Sequence, residues 1–130
     1  MLLFGHRFID SPRFYHVDDI DAIVHTPSNS TLFIPFDESN LDIVAHCRAN
    51  GLPFAIEAAN LREVIYAANL GANFIVVEPE LARSAQKAAD AYLFDAKILC
   101  RIDEEAMIEE LAGEGVDGAV FGEAIVKISG

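Results

Sequence analysis

Several things are scarce in this 130-residue chain, and each scarcity excludes something. It has two cysteines, Cys47 and Cys100, which fall in an apparent helix and an apparent strand with no paired-ligand spacing. They read as small buried apolar residues, and a disulfide is not expected in a reducing compartment. Lys and Arg together number nine against 21 Asp and Glu, for a formal charge of −12. The nine are scattered, and without a basic patch the chain would repel a phosphate backbone or an anionic membrane surface. Nucleic acid and membrane are therefore not expected partners. No apolar run reaches the ~18–20 residues of a membrane span. Met1 to Phe8 is apolar but is broken by Gly5, His6 and Arg7, and is too short for a signal-peptide core. A soluble, cytoplasmic protein is the expectation. No glycine-rich phosphate loop follows any apolar segment, and nothing resembles a nucleophile elbow. The four histidines, His6, His16, His25 and His46, show no ligand spacing.

What is abundant is apolar. Hydrophobic residues make up 52% of the chain, above the roughly 45–50% usual for soluble domains, which points to strands covered on both faces or to a subunit interface. Five short apolar segments recur. Their centres, Ile34, Ile56, Val76, Leu99 and Val120, are separated by 22, 20, 23 and 21 residues. Each is rich in β-branched or aromatic residues, as a doubly covered strand should be. Between them, stripes at three- and four-residue steps mark four helices: Leu41-Val44-Cys47, Leu61-Val64-Ile65-Ala68-Leu70, Leu81-Ala85-Ala88-Ala89-Tyr92 and Met107-Ile108-Leu111. Asp37 or Ser39, Asn60 and Asp103 suit helix starts, and Asn60 with Glu63 has capping-box spacing. Pro79 suits a first turn, and Gly51, Gly71 and Gly115 suit left-handed caps.

Strand, helix, strand with short connections gives parallel pairing and right-handed crossovers. The expectation is one α/β domain over residues 1–130. Residues 31–130 form consecutive βα repeats around a parallel sheet of about five strands, like half of a (βα)₈ barrel. The alternative is a doubly wound, flavodoxin-like three-layer sandwich. Pro35 favours sequential strand order, because proline is confined to edges and strand ends. Residues 1–30 break the repeat. Arg13 to Val17 suits a short strand and Asp18 to His25 a helix, in an arm placed to cover a sheet edge or reach a partner subunit.

The stretch Ala67-Ala68-Asn69-Leu70-Gly71-Ala72-Asn73-Phe74-Ile75-Val76-Val77-Glu78-Pro79 resembles part of the keto-deoxy-phosphogluconate aldolase family. That family reads as an alanine-rich helix followed by Gly-Ala-x-Phe-Ile-Val-Ser-Pro. Glu104 to Gly122 is similar to its next helix, turn and lysine-bearing strand, so the resemblance spans about Asn60 to Glu123. It implies a barrel-type fold. It also implies a Schiff-base lysine at or near position 119, where this chain has Ala119 and no amine. Lys97 opens its strand, at the wrong end for barrel chemistry. Glu123 stands where a phosphate-binding strand end would want a small residue.

The carboxyl ends of the strands are the expected site edge in either fold. Asp37, Glu57, Glu78, Arg101 with Asp103, and Glu123 fall there. Glu57, Glu78, Arg101 and Glu123 are the candidates for acid–base work or for holding an anionic substrate. Asp37, Glu57 and Glu78 are the candidates for a hard cation such as Mg²⁺. The competing account is helix capping, which explains Glu57 and Glu123 least well. No cofactor is identified. Two functions follow. One is a homo-oligomeric, for instance dimeric, non-catalytic or scaffold protein that keeps an aldolase-like half-barrel. The other is a domain of lyase or isomerase type, without a lysine Schiff base, binding a small anionic metabolite at an acidic rim.

Overall fold

The structure is a computed structural model and describes residues 1–128. Eight strands are present: β1 (Leu2–Phe4), β2 (Phe14–His16), β3 (Thr31–Pro35), β4 (Phe54–Glu57), β5 (Phe74–Val77), β6 (Lys97–Ile102), β7 (Gly118–Phe121) and β8 (Ile125–Lys127). Four helices separate the central strands: α1 (Leu41–Ala49), α2 (Leu61–Asn69), α3 (Pro79–Tyr92) and α4 (Ala106–Gly113). All strands pair in parallel, in the order β1-β7-β6-β5-β4-β3-β2-β8. The βα repeat and the sequential order hold, and the doubly wound alternative does not. Among the described residues the sheet has eight strands rather than about five, and α-helices occupy four of its seven connections.

The three additional strands have three residues each and lie outside the regular repeat. The N-terminal arm contributes two of them. β1 pairs with β7 and β2 with β3, so the arm covers both ends of the five-strand arc. The segment Asp18 to His25, expected to be helical, forms only a 3₁₀ turn at Asp21–His25. Pro35 points to the right strand order for a different reason than expected. β3 lies between β2 and β4, away from any edge, and Pro35 is its last residue, where a missing N–H costs no ladder bond.

The sheet curls into a barrel-like arc. Side chains alternate faces along each strand. Ile34, Ile56, Ile75, Ile98 and Ala119 point outward, where they meet Val44, Val64, Ala67, Ala85 and Leu111 of the helices. Phe4, Phe14, Phe33, Ala55, Val76, Leu99 and Val120 point inward and form a second core. Phe4, Phe14 and Phe74 come from strands far apart in the sheet, yet their rings meet edge-on at 5.1 to 5.7 Å. The chain therefore fills its own interior. The ends of the sheet also approach each other. A Cβ on Gly5, just past β1, would lie 3.0 Å from the Cβ of Ala124, just before β8.

The start of α2 and the left-handed glycines Gly51, Gly71 and Gly115 follow the local signals. The Asn60 side chain accepts from the Glu63 N–H at 2.9 Å, and Glu63 Oε1 accepts from the Ala59 N–H at 2.9 Å. This is a capping box displaced by one residue. Asp103 caps nothing, since α4 begins at Ala106 and its N-cap position is Glu105.

Candidate functional site

The carboxyl ends of the strands form a mouth whose composition follows from period-two alternation. In β2, β4, β6 and β8 the pattern is apolar, intervening residue, polar: Phe14-Tyr15-His16, Ala55-Ile56-Glu57, Leu99-Cys100-Arg101 and Ile125-Val126-Lys127. Phe14, Ala55 and Leu99 belong to the inner core and Ile125 packs against it. Two residues further along the strand the side chain returns to the same face. His16, Glu57, Arg101 and Lys127 therefore follow the apolar filling on the inner face, with β6, β4 and β2 alternating in the sheet and β8 directly beside β2. Their registered neighbours on the adjoining strands are apolar: Phe33 beside His16, Val76 beside Glu57 and Val120 beside Arg101.

Among these polar residues Arg101 Nη1 donates to Glu57 Oε2 at 3.3 Å, both side chains being a little over one-third exposed. Lys127 Nζ donates to Asp18 Oδ1 at 2.9 Å, and His16 Nε2 lies 3.5 Å from the same oxygen. The His16 ring stands edge-on to Phe33 at 5.4 Å. Its pKa is lowered from the ordinary 6.5, first by loss of water and then by the Lys127 charge, against opposing pulls from Asp18 and Glu57. Its neutral imidazole is thereby favoured at neutral pH.

Beside these residues a cleft of about 250 Å³ opens over the ends of β3 to β6. Glu57, Glu63, Glu78 and Arg101 line it, along with Pro35, Phe36, Ala58, Val76 and Val77. Of the residues expected at the rim, the structure brings Glu57, Glu78 and Arg101 together here. It leaves three out. Asp37 accepts from the Ser39 N–H at 2.8 Å and hydroxyl at 2.7 Å, which hold its pKa low, so it caps a turn. Asp103 is exposed, and Glu123 is exposed in the turn Gly122–Ala124. Neither lines the cleft. Among the described residues no three His, Cys, Asp or Glu side chains gather as metal ligands, so Asp37, Glu57 and Glu78 do not form a carboxylate cage.

Three further positions bear on chemistry. Ala119 faces the helices rather than the mouth, so a lysine there would point away from the cleft. Lys97 is exposed at the first position of its strand. Cys47 and Cys100 are fully buried free thiols, pushed by burial up to about 11 and about 12, and are not poised as nucleophiles. A larger concavity, of about 730 Å³, lies at the opposite end, between the termini of α2 and α3. Asp95 is the one ionisable acid or base among its lining residues, Tyr92 aside.

The fold class is thus an α/β protein with an eight-stranded parallel sheet curled toward a barrel, its inner face polar at the carboxyl ends of four strands. No family model and no curated protein matches the chain. Among solved structures it is similar to a NadC deletion mutant crystallised in a cubic space group, with a TM-score of 0.57 at 13% identity. The match covers 89% of this chain and 50% of that one, so the chain spans half the length of its structural neighbour. At this identity the likeness is one of fold, and a fold shared by many chains names no chemistry. No helix among the described residues is long and apolar enough to cross a membrane.

Proposed function

We propose that this domain binds a small charged metabolite at the mouth of its barrel-like sheet. One observation carries the reading: on four strands the inner face is apolar at Phe14, Ala55, Leu99 and Ile125 and turns polar two residues later at His16, Glu57, Arg101 and Lys127. Charged groups lose hydration when drawn inward, and a chain gains nothing in stability by gathering them there. Half-exposed pairs such as Glu57–Arg101 contribute at most about 1 kcal/mol, so holding the fold together does not account for these residues. Chemistry at this mouth is of lyase or isomerase type, with His16 or Glu57 moving a proton, and needs no lysine Schiff base. The aldolase-like repeat supports the architecture of this reading and not its reaction.

The test is thermal unfolding of the purified chain against small carboxylates, amines, keto acids, sugar phosphates and divalent cations. A ligand at 100 times its dissociation constant should add about 2.7 kcal/mol, a shift of several degrees. Arg101→Ala and Glu57→Gln should abolish that shift while each changes intrinsic stability by less than about 1 kcal/mol. A shift that survives both substitutions places the ligand elsewhere.

A homo-oligomer is the second reading, and the surface at the opposite end favours it. Tyr92 is 73% and Leu93 84% exposed beside the large concavity, an adjacent apolar pair on the surface. Light scattering of the purified chain distinguishes a monomer of 14.2 kDa from a multiple of it.

A further inference from the structure

We propose that the occupant of the 250 Å³ cleft is zwitterionic, carrying an ammonium and a carboxylate together, as a small amino acid does. The inference rests on the ligand-binding reading of the mouth and narrows its ligand class. Three carboxylates and one guanidinium line this cleft: Glu57, Glu63, Glu78 and Arg101. Their existing bonds show which groups remain available. Glu63 Oε1 is held by the Ala59 N–H. Glu57 is held by Arg101 through Nη1 alone, which leaves Arg101 further N–H donors. Glu78 opens α3 without capping it, and among the described residues its carboxylate has no hydrogen-bond or ion-pair partner.

A plain anion drawn to Arg101 would share the cleft with three like charges, and like charges 4 Å apart repel by about 1 kcal/mol even at the dielectric of water. The net charge of −12 adds to that repulsion. A plain cation would satisfy Glu78 but would confront the guanidinium. A ligand with its carboxylate on Arg101 and its ammonium on Glu78 meets complementary charge at both ends. The rest of the lining includes Pro35, Val76 and Val77, which suit a short aliphatic side chain. At about 30 Å³ per water-sized group, the volume holds roughly eight non-hydrogen atoms. That is the size of a small aliphatic amino acid.

The experiment is an amide NMR titration of the full chain with matched triplets. L-valine is compared with 3-methylbutanoate, which lacks the amine, and with 2-methylpropylamine, which lacks the carboxylate. Serine, threonine and alanine are compared in the same way with their deaminated and decarboxylated counterparts. At least one amino acid should shift the amides of Glu57, Glu78 and Arg101, with each matched partner binding about tenfold weaker or worse. Glu78→Gln, at an exposed residue that makes no cap, should keep the fold and remove the preference for the amine-bearing member. A carboxylate that binds as well as its amino acid overturns the zwitterion and leaves the site standing. If no triplet member shifts these amides, the zwitterion falls. The site reading falls with it only if the wider ligand panel also gives no Arg101-dependent shift.

Discussion

His16 sits where two opposing demands meet. The mouth strips water from its ring and sets Lys127 nearby, while Asp18 and Glu57 pull the other way, and the balance lowers its pKa. The unfolded chain, with an ordinary imidazole near 6.5, takes up its proton first as pH falls. The stability contributed by a neutral His16 is therefore present above about 6.5 and is lost as pH falls from there through the lowered folded value. His16→Gln should flatten the pH dependence of chemical denaturation in that window. Lys127→Ala should move the His16 titration, followed by ring NMR, back upward. A His16 titration unmoved by Lys127→Ala would show that the two side chains do not share the mouth in solution. At this scale the sequence was partly legible. Glu57, Glu78 and Arg101 could be named from strand ends alone. His16 and Lys127 could not, although the signal was present: both end an apolar-x-polar triplet of the same form as Ala55-Ile56-Glu57.

The elements are held by repeated local devices. Asn73 precedes β5, and its Oδ1 accepts from the Phe54 N–H of β4 at 3.0 Å. Asp117 precedes β7, and its Oδ2 accepts from the Ile98 N–H of β6 at 2.9 Å. Each polar side chain thus locks the start of its own strand to the neighbouring strand. Gln86, buried in α3, accepts from the Asp117 N–H at 2.9 Å and fixes the second of these locks to the helix layer. One element ends against its chemistry. Leu93 closes α3 in a left-handed conformation, φ 54°, that glycine adopts far more cheaply. Its side chain is 84% exposed, so little packing is lost on removing it. Leu93→Gly should raise stability by roughly 0.5–1 kcal/mol, read by urea denaturation. A loss of stability instead, accompanied by a fall in scattering mass, would mean that Leu93 is buried between copies of the chain. The helix starts show how far local reading reaches. Asn60 with Glu63 was legible because a cap lies within one turn. Asp103 was misleading because α4 begins three residues later, in a turn governed by packing.

At the scale of the whole molecule the decisive feature is how the edge strand β1 packs onto the arc. β1 lies so close to β7 that a Cβ on Gly118 would sit 2.7 Å from Leu99 Cδ2 and 2.8 Å from the Leu2 carbonyl oxygen. The second contact is backbone and cannot rotate away. Gly118→Ala should therefore destabilise the chain by about 1–3 kcal/mol, measured by denaturant unfolding. Amide exchange should rise first in Leu2–Phe4, because β1 must move to admit the methyl group. A Gly118→Ala protein as stable as the parent would mean that β1 is not packed against β7. The same packing explains why no second subunit is needed to fill the interior: Phe4, Phe14 and Phe74 fill it from within.

Sequence alone determined the repeat. Buried strands at a near-constant interval, helices with one apolar face and caps within a turn are all recorded in neighbouring residues, and short connections left parallel pairing as the outcome. Tertiary structure decided what could be recorded only between distant ones. Three-residue strands carry little pattern: β2 was legible within Arg13 to Val17, β1 and β8 were not, and all three pair with an arc formed by the longer strands. Which polar residues share the mouth was decided in the same way. Asp18 and Lys127 are 109 residues apart and meet at 2.9 Å because β8 docks on β2, and the register of that docking turns His16 and Lys127 toward the same interior.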